Sequence, residues 1–449
     1  MSETKNKYPR VLVVAGYGFN QAGGGGITLT NLFEGWPADR LAIIHADVNG
    51  NTPGIVKCEF NPDRQCVIPW TSIGVRWRTR DEIAKSAGQS AQAPKAAGSQ
   101  RGYYWVRTVA NTLLKWTGLV GLVERFSVPQ ETIDKLRYFR ADIIYMHPSS
   151  ISFTRLAIDI KRKLNAPLVV HIMDDYPHSL YTVGIFAKLV SIHMNSLMKK
   201  LFAESSLCLG ISLFMCSEYR KRYNIPFSCF HNPVNPVFLN NKPRRELVPL
   251  EKNGNFRLVY VGRVGWGVAA GLKDISEAVK ELANSRVQLA IYANDAESVK
   301  RQYGFLRSTP SNVTISESPK NADGIAKILH SADALVLPVD FDEGSIRAIR
   351  LSMPTKVPAY LSSGVPILLY GSEKVGFVAE AIEEGWAYVV KVRSKKTLKN
   401  AIIFLASSSI FRSKIVDTAF KKAKFFNSEY VREGFREAIA KAATERNQK

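Results

Sequence analysis

Short apolar runs separated by polar, helix-period segments set the rhythm of this chain. Arg10-Val-Leu-Val-Val-Ala15 is continuous and rich in valine, the pattern of a strand buried on both faces. A glycine-rich turn, Gly16 to Gly26, follows it, and Ile27 to Phe33 then has helical spacing. Leu41–His45, Ala141–His147 and Pro167–Met173 read as further strands, with a helix over Thr154–Leu164 between the last two. Strands that alternate with helices predict a parallel α/β sheet.

The rhythm stops and restarts near residue 240. Asn241 to Asn255 is polar, charged and carries Pro243 and Pro249, the composition of a linker. Strands are then expected at Phe256–Gly262, Val287–Tyr292, Val313–Ser316, Ala334–Pro338 and Pro366–Tyr370, with a helix over Leu272–Ala283. The expected fold is therefore α/β: two Rossmann-like doubly wound domains facing a central crevice. The boundaries are 1–240 and 241–430. Residues 431–449 form a C-terminal helix for which the N-terminal domain is a surface to return to. One stretch, about 75–128, breaks the rhythm. Ala84 to Gln100 is Ala, Gln, Ser and Gly and reads as a mobile loop. Arg101 to Arg125 has one apolar stripe, Val106, Val109, Leu113, Trp116, Val120 and Val123, flanked by Arg101, Arg107, Lys115 and Arg125. It reads either as a helix lying on an anionic membrane or as one packed on its own sheet.

Composition narrows the class. With 449 residues and 46% apolar positions, two or three globular domains fit the chain and global disorder does not. Lys plus Arg is 61 against 39 acidic residues, a net charge of +22, so an anionic partner is expected. No apolar stretch reaches the ~18 residues of a membrane span, and no signal peptide is visible. Five cysteines without a C-x-x-C pair suggest a reducing cytoplasm rather than a disulfide framework or a zinc site. Basic residues are not clustered with stacking aromatics, so nucleic acid is not expected as the partner.

Several segments carry chemistry. Gly23-Gly-Gly-Gly26 precedes a helix, and Gly24 and Gly25 would let backbone N–H groups approach an anion or sugar. It is not the dinucleotide fingerprint. Arg263, after Gly262, stands at a strand end facing the crevice. Pro354 is placed to begin a helix with Ser352 as cap, bringing Thr355 and Lys356 to its N-terminus. His171 and the adjacent Asp174 and Asp175 end a strand, suiting an acceptor-binding or acid–base site. Packed-core and helix-capping roles are the alternatives for these three.

Ser352-x-Pro-x-Lys356-x-x-x-Tyr360-Leu-x-x-Gly364-x-Pro366 resembles the C-terminal signature of family 4 glycosyltransferases of the GT-B architecture. Tyr260-Val-Gly-Arg263, Asn232-Pro-Val234, Cys216-Ser-Glu-Tyr219 and Ser331-Ala-Asp333-Ala resemble other family segments in the right order, over nearly the whole chain. The resemblance implies transfer of a sugar from a nucleotide diphosphate sugar to a glycan or lipid-linked acceptor, with retention, in bacterial-type surface-glycan synthesis at the inner face of the membrane. It implies no cofactor beyond the sugar-nucleotide co-substrate, and no metal. Asp340-Phe-Asp342 has a metal-site spelling but is read as part of the donor loop. The catalytic candidates are Asp174, Arg263 and Lys356. The donor candidates are Gly24, Gly25, Arg263, Asn294, Glu343, Gly344, Ser345, Thr355, Lys356 and Tyr360. The acceptor candidates are His171, Asp174 and Asp175. The chain departs from the family at two positions: Leu351 and Ala359 stand where it has glutamates, and Glu343 is the substitute considered for one of them. Lys273 is further from Arg263 than the family's basic partner. A sugar-nucleotide- or glycan-binding protein without turnover is the alternative.

Overall fold

The computed structural model describes residues 8–20, 23–47, 50–67, 74–76, 112–114, 116–180, 182–240, 254–282, 286–306 and 312–444. In chain order the strands are β1 (Val11–Val14), β2 (Leu41–Ile44), β3 (Cys58–Phe60), β4 (Asp63–Val67), β5 (Gly74–Arg76), β6 (Glu124–Ser127), β7 (Ile143–Met146), β8 (Leu168–Ile172), β9 (Leu207–Gly210) and β10 (Ser228–Cys229). The second half contributes β11 (Phe256–Val261), β12 (Val287–Ala293), β13 (Val313–Glu317), β14 (Ala334–Pro338), β15 (Ile367–Tyr370) and β16 (Tyr388–Val390).

Seven strands form the first sheet in the order β10-β9-β8-β7-β1-β2-β3, and six form the second in the order β13-β12-β11-β14-β15-β16. All pairings in both are parallel, and β1, β2, β7, β8 and β14 are buried along their length. That double-sided burial is why their sequences read as unbroken apolar runs. The strand order turns between β1 and β7 in one sheet and between β11 and β14 in the other. Ligand crevices in such sheets lie outside the carboxyl ends of the strands at these switch points.

The helix Ser428–Thr444 crosses back to the first sheet. Phe435 is fully buried there, its ring 5.2 Å from Phe33 and 5.8 Å from Tyr145. Arg432 reaches the Asn31 carbonyl at 2.9 Å and pairs with Glu34. The two halves also meet at Ser212, whose hydroxyl donates to the Leu351 carbonyl at 2.6 Å.

Two local expectations need correction, and three segments lie outside the described residues. The helix expected through Arg125 is interrupted: Gly118 adopts φ +77°, a short helix resumes at Val120–Val123, and Glu124–Ser127 is strand β6, paired antiparallel with β4 in a small sheet β5-β4-β6. The Ala84–Gln100 segment, residues 101–111 of the basic stretch, and linker residues 241–253 lie outside the described residues. The helix expected from Pro354 begins at Val357 instead, and Ser352 does not cap it, because its hydroxyl is committed across the crevice to Asp174.

Candidate functional site

On the C-terminal side, β11 runs into Gly262, which takes φ +140°. A Cβ there would lie 2.5 Å from the Lys356 ammonium, so both the backbone and the space require glycine. Lys356 donates to the Tyr260 hydroxyl at 2.8 Å and sits 4.0 Å above that ring's centroid. Tyr260 in turn donates to the Arg263 carbonyl, fixing the turn that carries Arg263. Burial and then the nearby Arg263 guanidinium lower the Lys356 pKa to about 7. Two cations brought together without an anion between them are an electrostatic cost that a bound diphosphate removes.

Around this pair the exposed indole of Trp266 lies beside Gly344. Arg263 donates to the Trp266 carbonyl at 3.4 Å. Glu343 and Gly344 open a helix (Glu343–Ile349) and are exposed, whereas Ser345 is buried and its N–H is taken by Asp342 at 2.9 Å. The other carboxylate of that loop, Asp340, accepts the Gly271 N–H at 2.7 Å and so caps the helix Ala269–Glu281. Both aspartates of the D-x-D spelling are thus engaged by backbone N–H groups. Asn294 is exposed just past the end of β12. Tyr360 is buried, and its hydroxyl accepts the Val261 N–H at 3.0 Å. Its visible role is to brace the end of β11.

On the N-terminal side, the glycines begin the helix Gly24–Leu32, whose N-terminus has no side-chain cap. Gly25 lies against the Tyr17 ring too closely for any Cβ, and Gly26 lies against Asn20. Gly24 faces the other domain: a Cβ there would meet the Thr355 methyl at 3.5 Å, across the crevice. The start of this helix, which has no side-chain cap among the described residues, thus lies beside Thr355, the neighbour of Lys356.

Asp174 accepts from Ser352 at 2.8 Å and from Tyr176 at 3.1 Å. Burial nevertheless raises its pKa. This hydrogen bond ties the end of β8 to the donor-side loop. Asp175, one residue on, turns away into the N-terminal domain. Arg222 holds it through two hydrogen bonds of 2.7 and 2.8 Å, and Tyr219 donates at 3.0 Å. Despite burial, those partners keep its carboxyl well below the usual range. His171 is fully buried, its Nδ1 2.7 Å from the Tyr145 hydroxyl, and burial lowers its pKa to about 3. So Asp174 lies with the crevice set, while Asp175 and His171 are packed inside the domain.

Two residues near these groups were not singled out by sequence. His147, at the end of β7, is buried between Tyr17 (centroids 5.0 Å apart) and Tyr176 (5.5 Å), and burial holds its pKa near 3. Its signal was a histidine before Pro148 at a strand's carboxyl end. Trp266 had only its place in the turn after Arg263. Leu351, at one of the two glutamate positions, is buried among N-terminal-domain residues and offers the crevice no carboxylate.

Solved structures share this fold. Anabaena HepE in complex with UDP-glucose aligns with a TM-score of 0.58 at 12% identity, over 96% of this chain and 99% of that one. Sucrose-phosphate synthase from Thermosynechococcus elongatus gives 0.57 at 13% identity, over 97% and 98%. The α,α-trehalose 6-phosphate synthase of Burkholderia multivorans gives 0.56 at 12%, over 98% and 99%. No family model matches the chain, and no curated protein sequence matches it. Two parallel-sheet domains aligned over nearly their full length establish the GT-B fold.

Proposed function

We propose that this protein is a glycosyltransferase that takes a sugar from a nucleoside diphosphate sugar and delivers it to a glycan or lipid-linked acceptor. The observation that carries the reading is the Arg263–Lys356 pair at the end of β11, next to Thr355, which lies against the start of the helix Gly24–Leu32. A UDP-glucose complex of a protein with the same fold supports it. In the reaction the bond from the anomeric carbon to the diphosphate oxygen breaks, and the leaving diphosphate keeps the electron pair. The acceptor oxygen bonds to that carbon and gives up its proton. Arg263 and charged Lys356 hold the growing negative charge on the leaving group, which lowers the barrier because they are already in place. Thr355 and the N–H groups at Gly24 and Gly25 would close on the same diphosphate, with Glu343, Gly344 and Asn294 toward the sugar and nucleoside. Asp174, near the acceptor side, is the candidate for orienting the acceptor hydroxyl. Transfer with retention, and an anionic membrane surface where a lipid-borne acceptor resides, belong to the same reading.

The test is turnover of a panel of nucleoside diphosphate sugars. Release of free nucleoside diphosphate from one of them, lost in Lys356→Ala, supports transfer. The buried Leu351 and the alanine at 359 favour a second reading, binding without turnover. Tight nucleotide binding with no release of sugar, in the presence of glycan or lipid acceptors, would establish that reading instead.

A further inference from the structure

The segment after Asp174 and Asp175 bears an apolar face that no other element among the described residues covers. Val183, Ile185, Phe186, Leu189 and Ile192 are between 43% and 77% exposed. The last two sit on the helix Ala187–Ala203, whose opposite face is already buried through Val190, Met194, Met198 and Leu201. This helix therefore has one apolar stripe for its own domain and a second that faces outward. A neighbouring segment extends the outward stripe. The Trp116 carbonyl accepts the Ile185 N–H at 3.4 Å, and the Thr117 carbonyl accepts the Phe186 N–H at 2.9 Å. Gly118 and Gly184 touch so closely that neither could carry a Cβ without moving the other's backbone. Trp116 itself is 63% exposed.

Charge selects the occupant. Residues 176–203 contain no aspartate or glutamate, and Lys188, Lys199 and Lys200 are all exposed. A second copy of this face would bring lysines against lysines across a two-fold axis. An anionic bilayer offers hydrocarbon for the apolar stripe, headgroup charge for the lysines and an interface that suits tryptophan. We propose that Trp116 and Val183–Ile192 form a membrane-docking surface for anionic lipid, with Lys188, Lys199 and Lys200 around it. It rests on the membrane-side acceptor of the proposed function and assigns that contact to a surface. The position is suited to this role, because Ser191 donates to the Pro177 carbonyl at 3.0 Å and so ties the docking helix to the turn that follows Asp174.

The experiment is flotation of the full-length protein with vesicles of phosphatidylcholine alone or with a third phosphatidylglycerol, at low and high salt. Donor binding is measured in parallel by calorimetry. The wild type should float with anionic vesicles and be released by salt. Ile185→Ser/Leu189→Ser/Ile192→Ser should cut partitioning more than tenfold with donor binding unchanged. Lys188→Glu/Lys199→Glu/Lys200→Glu should abolish the preference for anionic lipid, at about fivefold or more per lysine. A wild type that stays unbound overturns the proposal. So does a serine variant that floats like the wild type, or a self-associating wild type that the serine variant returns to monomer. Because donor binding is read separately, a failed donor site would show only in the calorimetry.

Discussion

Lys356 is the residue on which the proposed chemistry turns. Its ammonium is disfavoured in the free protein because it is half-buried and shares its surroundings with Arg263. A diphosphate restores the charge, so binding above pH 7 should take up a proton. Calorimetry at pH 8 in buffers of differing ionisation enthalpy should show uptake approaching one proton, falling toward zero at pH 6 and absent in Lys356→Arg. The same shift links to stability. Between pH 7 and 10.5 the unfolded chain binds more protons at this lysine than the folded one does, so its penalty shrinks as pH rises. Asp175 has the opposite logic. Its depressed pKa contributes stability that is present above the ordinary carboxylate range and lost as pH falls through it. Asp175→Asn leaves Arg222 with Glu218 as its remaining carboxylate partner and should cost about 1–3 kcal/mol in urea unfolding, while flattening the acid limb. Loss of turnover without loss of stability in that variant would contradict a packed role. At Gly262, alanine would meet the Lys356 ammonium and a disfavoured φ together. Donor affinity should fall more than tenfold, with the melting temperature lowered by a few degrees at most.

At the scale of elements, the sequence was most informative where strands are buried on both faces. The runs of β1, β2, β7, β14 and β15 stand out because no charged residue interrupts a doubly covered strand. The small sheet β5-β4-β6 left no such trace. Asp63–Val67 reads Asp-Arg-Gln-Cys-Val, and its pairing with Glu124–Ser127 spans about sixty residues. The expected continuation of the basic helix failed for a local reason, the positive φ at Gly118, which stripe counting does not register. Candidate site residues on the glycine and Lys356 segments were legible because their backbone requirements are written in residue type. His147 and the pairing of Asp175 with Arg222 were not. The first looks like any strand-end histidine, and the second joins residues 47 apart through the fold alone. The helix Ser428–Thr444 offers a packing test: Phe435→Ala removes a ring buried against Phe33 and Tyr145 and should cost about 3–5 kcal/mol in denaturant unfolding. A cost below 1 kcal/mol would mean that this helix contributes little to the first domain.

For the whole molecule, the two sheets place their switch points across one crevice, and a few side chains stitch it. Ser352 to Asp174, Ser212 to Leu351 and Arg432 to Asn31 join elements far apart in sequence. Leu351 and Ser352 are the neighbours that make two of these contacts. One residue of the donor-side segment is thus packed into the N-terminal domain while the next grips Asp174. The proposed reading predicts that donor binding at Lys356 and acceptor positioning at Asp174 are coupled through this segment. The central claim is that the Arg263–Lys356 pair is a diphosphate site, and titration calorimetry of nucleoside diphosphates and their sugars tests it most directly. The account predicts one-to-one binding of one nucleotide series, weakened at least tenfold in both Arg263→Ala and Lys356→Ala with the fold intact. Absence of binding across the panel, or affinity unchanged in both variants, would contradict it.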